Sequence, residues 1–167
     1  MRHLWSWFSR FAIVVLVVGS LLAAVLWQIS AQGTLTLTEA DVVAQKDREK
    51  LQGTWSIVEL VADGEQAPVE ITNTIKLVFK DDSLTFTPGE PGYTNYTYKL
   101  DTTTKPANFD MIHADGESKS AVKKGIYSWD GDRFKICFGN GDERPKEFSA
   151  KSDSGRALYL LKQEKPM

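Results

Sequence analysis

Residues 125–138 read GIYSWDGDRFKICF: a short run, an Asp130-Gly131 turn, and a second run in which Phe134, Ile136 and Phe138 fall at every second position. A period of two is the signature of a strand with one buried face. Asp-Gly between two such runs marks a tight hairpin, because glycine accepts the positive φ that a type I′ turn requires. Lys135 and Cys137 then face the other way. The same grammar extends in both directions. Upstream, residues 54–61 (TWSIVELV) close at Asp63-Gly64, and residues 74–79 (TIKLVF) meet residues 83–87 (SLTFT) across Lys80-Asp81-Asp82. Residues 93–100 (YTNYTYKL) follow a Pro/Gly break, and residues 108–112 lie between loops carrying Pro106 and Asp115-Gly116. Downstream, residues 146–150 and 157–161 complete eight or nine candidate strands.

No helix-length periodic segment interrupts this region, so the connections are hairpins and the sheet is antiparallel. An open meander would leave two unpaired edges, and closure removes them. The expected fold is therefore all-β, an antiparallel up-and-down barrel of about eight strands, with a sandwich as the second solution. Alternation assigns Ile75, Leu77 and Phe79 to one face, with Leu84 and Phe86, then Tyr96, Tyr98 and Leu100. The barrel-lining candidates for binding are Trp55, Leu77, Phe79, Phe86, Tyr98, Phe109, Phe134 and Ile136. Five of these eight are Phe or Trp, so they are expected to fill a small interior rather than line a cavity.

Ahead of the barrel, residues 11–29 (FAIVVLVVGSLLAAVLWQI) run uncharged from Phe11 to Ile29. As a helix they would span roughly 28 Å, close to the ~30 Å hydrocarbon core. Arg2 and Arg10 precede the run and no charge follows until Glu39, which directs the C-terminal part out of the cytoplasm. The expectation is a single-pass anchor in the cell membrane over residues 1–30. The alternative is a signal segment cleaved near Ala31, giving a secreted or periplasmic product, although Ile29 is bulky for the −3 position. Residues 31–50 form a linker with a short helix. Thr38 and Asp41 supply its capping pattern, and its thin apolar face is Val42, Val43 and Leu51. The barrel domain takes residues 51–163, and 164–167 are a tail.

The chain has 167 residues, 42% hydrophobic and 25% charged, with a formal charge of −2, one cysteine and two histidines. The charge gives no reason to expect nucleic-acid binding, and one cysteine excludes an internal disulfide or a Cys-based zinc site. His113 stands among Asp110, Asp115 and Glu117, which suggests metal ligation. In an extended segment, however, Asp110 and His113 face opposite sides, so no metal is expected. Cys137 lies between Ile136 and Phe138, where a thiol behaves as a small apolar group. Lys123-Lys124 is too short a basic step for a nucleic-acid patch. Asn95-Tyr96-Thr97 matches a glycosylation acceptor. Tyr93, Tyr96, Tyr98 and Trp129 could stack on a flat ligand or serve as core. No nucleophile elbow, phosphate loop or dinucleotide motif occurs, so neither enzymatic activity nor a cofactor is expected.

Leu51-Gln52-Gly53-Thr54-Trp55 carries the Gly-x-Trp opening of lipocalins and other calycin-type barrels. Further phrases are Asp63-Gly64, Tyr98-x-Leu100-Asp101 with Pro106 and Asp110, Lys124-Gly125-Ile126-Tyr127 before Asp130-Gly131-Asp132, Ile136-Cys137-Phe138, and Arg144-Pro145-x-x-Phe148. Over residues 51–163 the set resembles a domain family of unassigned function that is expanded in planctomycetes. The resemblance implies a calycin-like barrel on an exported protein and transfers no catalytic residue. It also implies a basic side chain over the opening tryptophan, and Lys162 is expected to cover Trp55. Two functions follow from these readings: a structural or protein-interaction module held at the membrane, or a lipocalin-like binder of a small apolar ligand.

Overall fold

The structure, a computed structural model, describes residues 37–87, 95–114, 116 and 118–165. The apolar run between Phe11 and Ile29 lies outside the described residues, as do Tyr93, Asp115 and Glu117. No helix among the described residues is long and apolar enough to cross a membrane.

Thr38 opens α1 (Glu39–Leu51) with a reciprocal capping box: its hydroxyl accepts from the Asp41 N–H, and the Asp41 carboxylate accepts from the Thr38 N–H. Two orphan donors of the first turn are satisfied this way, and Arg48 and Lys50 place positive charge near the C-terminal end. The strands are β1 (Gly53–Ala62), β2 (Glu65–Gln66), β3 (Lys76–Lys80), β4 (Ser83–Thr87), β5 (Asn95–Asp101), β6 (Ala107–His113), β7 (Val122–Asp130), β8 (Arg133–Phe138) and β9 (Ala157–Gln163). A single helical turn, α2 (Val69–Thr72), stands between β2 and β3.

Neighbours in sequence pair antiparallel from β3 to β9, and β1 pairs with both β3 and β9, which closes an eight-stranded up-and-down barrel. β2 is a two-residue hairpin arm on the end of β1. The β1–β9 register shifts between Ile57 and Glu59, so Val58 bulges outward and is exposed. A bulge of this kind sharpens the local twist and helps a sheet to close.

Two expectations are corrected. Residues 146–150 are not a strand; they belong to the long β8–β9 loop, residues 139–156, which folds back over the outside of the barrel. The ladder is already complete without them, and Ala150 is buried by cover rather than by strand pairing. Lys162 does not cover Trp55. It pairs with Ser56, while Trp55 pairs with Gln163, and alternation therefore puts Lys162 on the outer face, 3.9 Å from Asp132. The thin face of α1 is also divided: Leu51 enters the core, whereas Val42 and Val43 remain exposed.

Candidate functional site

Inside the barrel, side chains from strands that are not neighbours meet. Phe79 of β3 lies 6.4 Å from Phe134 of β8 and 6.5 Å from Phe109 of β6, centroid to centroid. Trp55 of β1 lies 6.1 Å from Phe134, and Tyr98 stacks on Phe109 at 5.7 Å. These are contact distances for aromatic rings, so the lumen at this level is occupied by side chains. Of the eight barrel-lining residues, Trp55, Leu77, Phe79, Tyr98, Phe109, Phe134 and Ile136 are buried, and Phe86 is half-buried against the same cluster.

Gly125 makes part of this closeness possible. It pairs with Phe109 on one side and Phe138 on the other, and these two rings stand 5.9 Å apart across it. A Cβ at position 125 would lie 2.9 Å from both the Cys137 carbonyl oxygen and the Phe138 ring.

One end of the barrel is closed by α1. Asp47 accepts from the Tyr127 hydroxyl at 2.6 Å and from Trp129 Nε1 at 2.8 Å, while Lys50 Nζ sits 3.6 Å over the Trp129 ring. Trp55 Nε1 donates to the Leu51 carbonyl at 2.7 Å, and Arg48 pairs with Asp82 in the β3–β4 turn. Aromatic residues with a polar tip at the end of a strand need a partner, and the helix supplies it. Burial, and then the Asp47 hydrogen bond, push the Tyr127 phenol far above its ordinary range. Sequence reasoning passed over Asp47; its only signal was a carboxylate on the helix that precedes a barrel whose rim carries Tyr127 and Trp129.

At the opposite mouth Tyr96 meets His113 at 4.7 Å and Phe86 at 5.6 Å, with Leu60, Ile75 and Tyr159 partly buried nearby in the same cluster. Lys123 shares the inward parity of Gly125 and Tyr127. Its Nζ lies 5.3 Å over Phe138, and burial lowers its pKa from the usual lysine value. Lys124 points outward, so the two lysines serve different faces. Tyr96 and Tyr98 are buried and Trp129 packs against the same core, which places these stacking candidates in the barrel wall.

His113 and Asp110 fall on opposite faces. Asp110 faces out toward Arg144, whose Nη1 approaches Asp110 Oδ1 at 2.6 Å and donates to the Gly125 carbonyl at 2.5 Å. Among the described residues no group of three metal-ligating side chains converges. Cys137 is buried on the outer face beneath the β8–β9 loop, its thiol 3.6 Å from the Ser149 carbonyl, and burial raises its pKa. A raised thiol pKa is the opposite of what a nucleophile needs.

No family model, curated protein or solved structure matches the chain. The architecture itself, a closed eight-stranded antiparallel barrel, is consistent with a calycin-like fold.

Proposed function

We propose that the chain is a membrane-tethered, extracytoplasmic β-barrel module acting as a structural or protein-interaction domain through its outer surface. The observation that carries this reading is the contact of Phe79 with Phe134 and Phe109 across the interior. A carrier needs small residues at such positions, and here large rings meet. The uncharged run from Phe11 to Ile29 supports the tether, and the phrases between Gly53 and Phe148 support membership in the family expanded in planctomycetes. The alternative, a lipocalin-like binder of a small apolar ligand, draws on the half-buried Leu60, Ile75, Phe86 and Tyr159 at the mouth away from α1.

The test uses the full chain expressed in a bacterial host with an intact export system. It should remain in the membrane fraction after carbonate washing and show no saturable uptake of a fluorescent fatty acid. A soluble product starting near Gln32 overturns the tether. Stoichiometric fatty-acid binding that is lost in Phe86→Trp overturns the module in favour of the carrier.

A further inference from the structure

Arg144 and Pro145, Pro106, and Ile126 come from three separate parts of the chain, yet they line one cleft on the outside of the barrel. Its volume is ≈ 350 Å³, and it lies between the β5–β6 loop and the β8–β9 loop. That size falls at the lower end of ligand-binding clefts. Ile126 is buried on the outward face of β7 and provides an apolar floor. Pro106 and Pro145 form walls that lose little conformational freedom on binding. Lys105 and Lys146, both exposed, supply the charge.

Three carboxylates near the cleft are already engaged. Asp110 pairs with Arg144, Glu143 pairs with Arg156, and Asp101 accepts from Thr103 and from Asn108 Nδ2. Among the described residues neither Lys105 nor Lys146 takes part in an ion pair. Asn108 gives one Nδ2 hydrogen to Asp101 at 3.0 Å, and its amide oxygen is an acceptor suited to a peptide N–H.

We propose that this cleft binds an extended acidic peptide segment of a partner protein. Carboxylates of the segment meet the two lysines, an apolar side chain rests on Ile126 between the prolines, and a backbone N–H donates to Asn108. No aromatic platform lines the cleft, which disfavours an acidic polysaccharide as the occupant. The proposal rests on the reading of the chain as an interaction module and names the chemistry of its partner.

The experiment places the full chain in nanodiscs of zwitterionic lipid. It measures fluorescence polarisation of a labelled eight-residue peptide of alternating Glu and Leu. Saturable binding is expected, weakened by added salt and by roughly tenfold in the Lys105→Glu, Lys146→Glu double variant. Lys151→Glu with Lys162→Glu, which reverses two exposed charges elsewhere, should leave it unchanged. The proposal is overturned by absent binding, by equal loss in the control pair, by equal affinity for a Lys-Leu peptide, or by binding of an oligogalacturonate in place of the peptide. A chain that ignores both peptide and fatty acid loses only this proposal. One that takes up the fatty acid stoichiometrically loses the module reading itself.

Discussion

Asp47 joins α1 to the barrel through two charge-assisted hydrogen bonds, to Tyr127 and to Trp129 Nε1. Removing it leaves two partly buried donors without their acceptor, so Asp47→Ala should cost about 1–3 kcal/mol in urea denaturation. Asp47→Asn, which keeps one acceptor oxygen, should cost less. The phenols give a pH signature. Burial is the leading cause that raises the pKa of Tyr98, Tyr127 and Tyr159 above the unfolded value, ~10 for tyrosine. A raised folded pKa means that each contribution is complete below about pH 10 and is lost as pH climbs toward the folded value. The Cys137 thiol, also raised, acts in the same direction from a lower starting point, whereas Lys123, lowered by burial, opposes them as a single group. The urea midpoint should therefore hold from neutral pH to about pH 9 and fall above about pH 10. A midpoint unchanged at pH 11 would contradict the burial of these phenols.

At the scale of elements, two pieces outside the ladder do separate work. The helix α1 depends on its cap, and Thr38→Ala, which removes the hydroxyl arm of the capping box, should cost about 1 kcal/mol. The β8–β9 loop depends on Arg144, which links it to Asp110 on β6 and to the Gly125 carbonyl on β7. Phe148 lies beneath Lys135 of β8, so the Arg-Pro-x-x-Phe phrase fastens the loop to the barrel wall at both ends. Ser149, next to Phe148 in that loop, sets its carbonyl over the Cys137 thiol. Arg144→Ala should speed labelling of Cys137 by an aromatic disulfide reagent under native conditions, with a loss of about 1–3 kcal/mol in stability. An unchanged labelling rate would show that the loop is held by something other than this pair.

For the whole molecule the decisive feature is the aromatic cluster that spans the barrel. Phe109 touches Phe79, Tyr98, Tyr127, Phe134 and Phe138, drawn from both halves of the chain. Phe109→Ala should cost about 3–5 kcal/mol, a large-to-small change in a core that cannot collapse around the gap. Gly125→Ala tests the opposite error. A methyl group there would press on a strand carbonyl as well as on Phe138, and overpacking of this kind costs about 1–3 kcal/mol. Thermal denaturation reads both changes. If Gly125→Ala were neutral, the close approach of Phe109 and Phe138 would not be a packing constraint.

What the chain's own pattern determined is local. Alternation of apolar residues marked the strands and the inward rows, Asp130-Gly131 marked its hairpin, and Thr38 with Asp41 marked the start of α1, because each signal depends on neighbours a few residues apart. The prediction of antiparallel closure followed because short turns allow no other pairing. Tertiary structure decided the rest. Residues 146–150 alternate like a strand, but β8 and β9 pair with each other and leave no partner for a further strand. The side of the barrel on which Lys162 lies turns on a one-residue register against β1, which no local pattern encodes. The roles of Asp47 on the helix and Arg144 on the loop emerged only when partners some 80 and 34 residues away, Tyr127 and Asp110, came within hydrogen-bonding or ionic reach. Side-chain direction along a strand is fixed by backbone geometry within a few residues, whereas what that side chain meets is fixed by how the sheet closes.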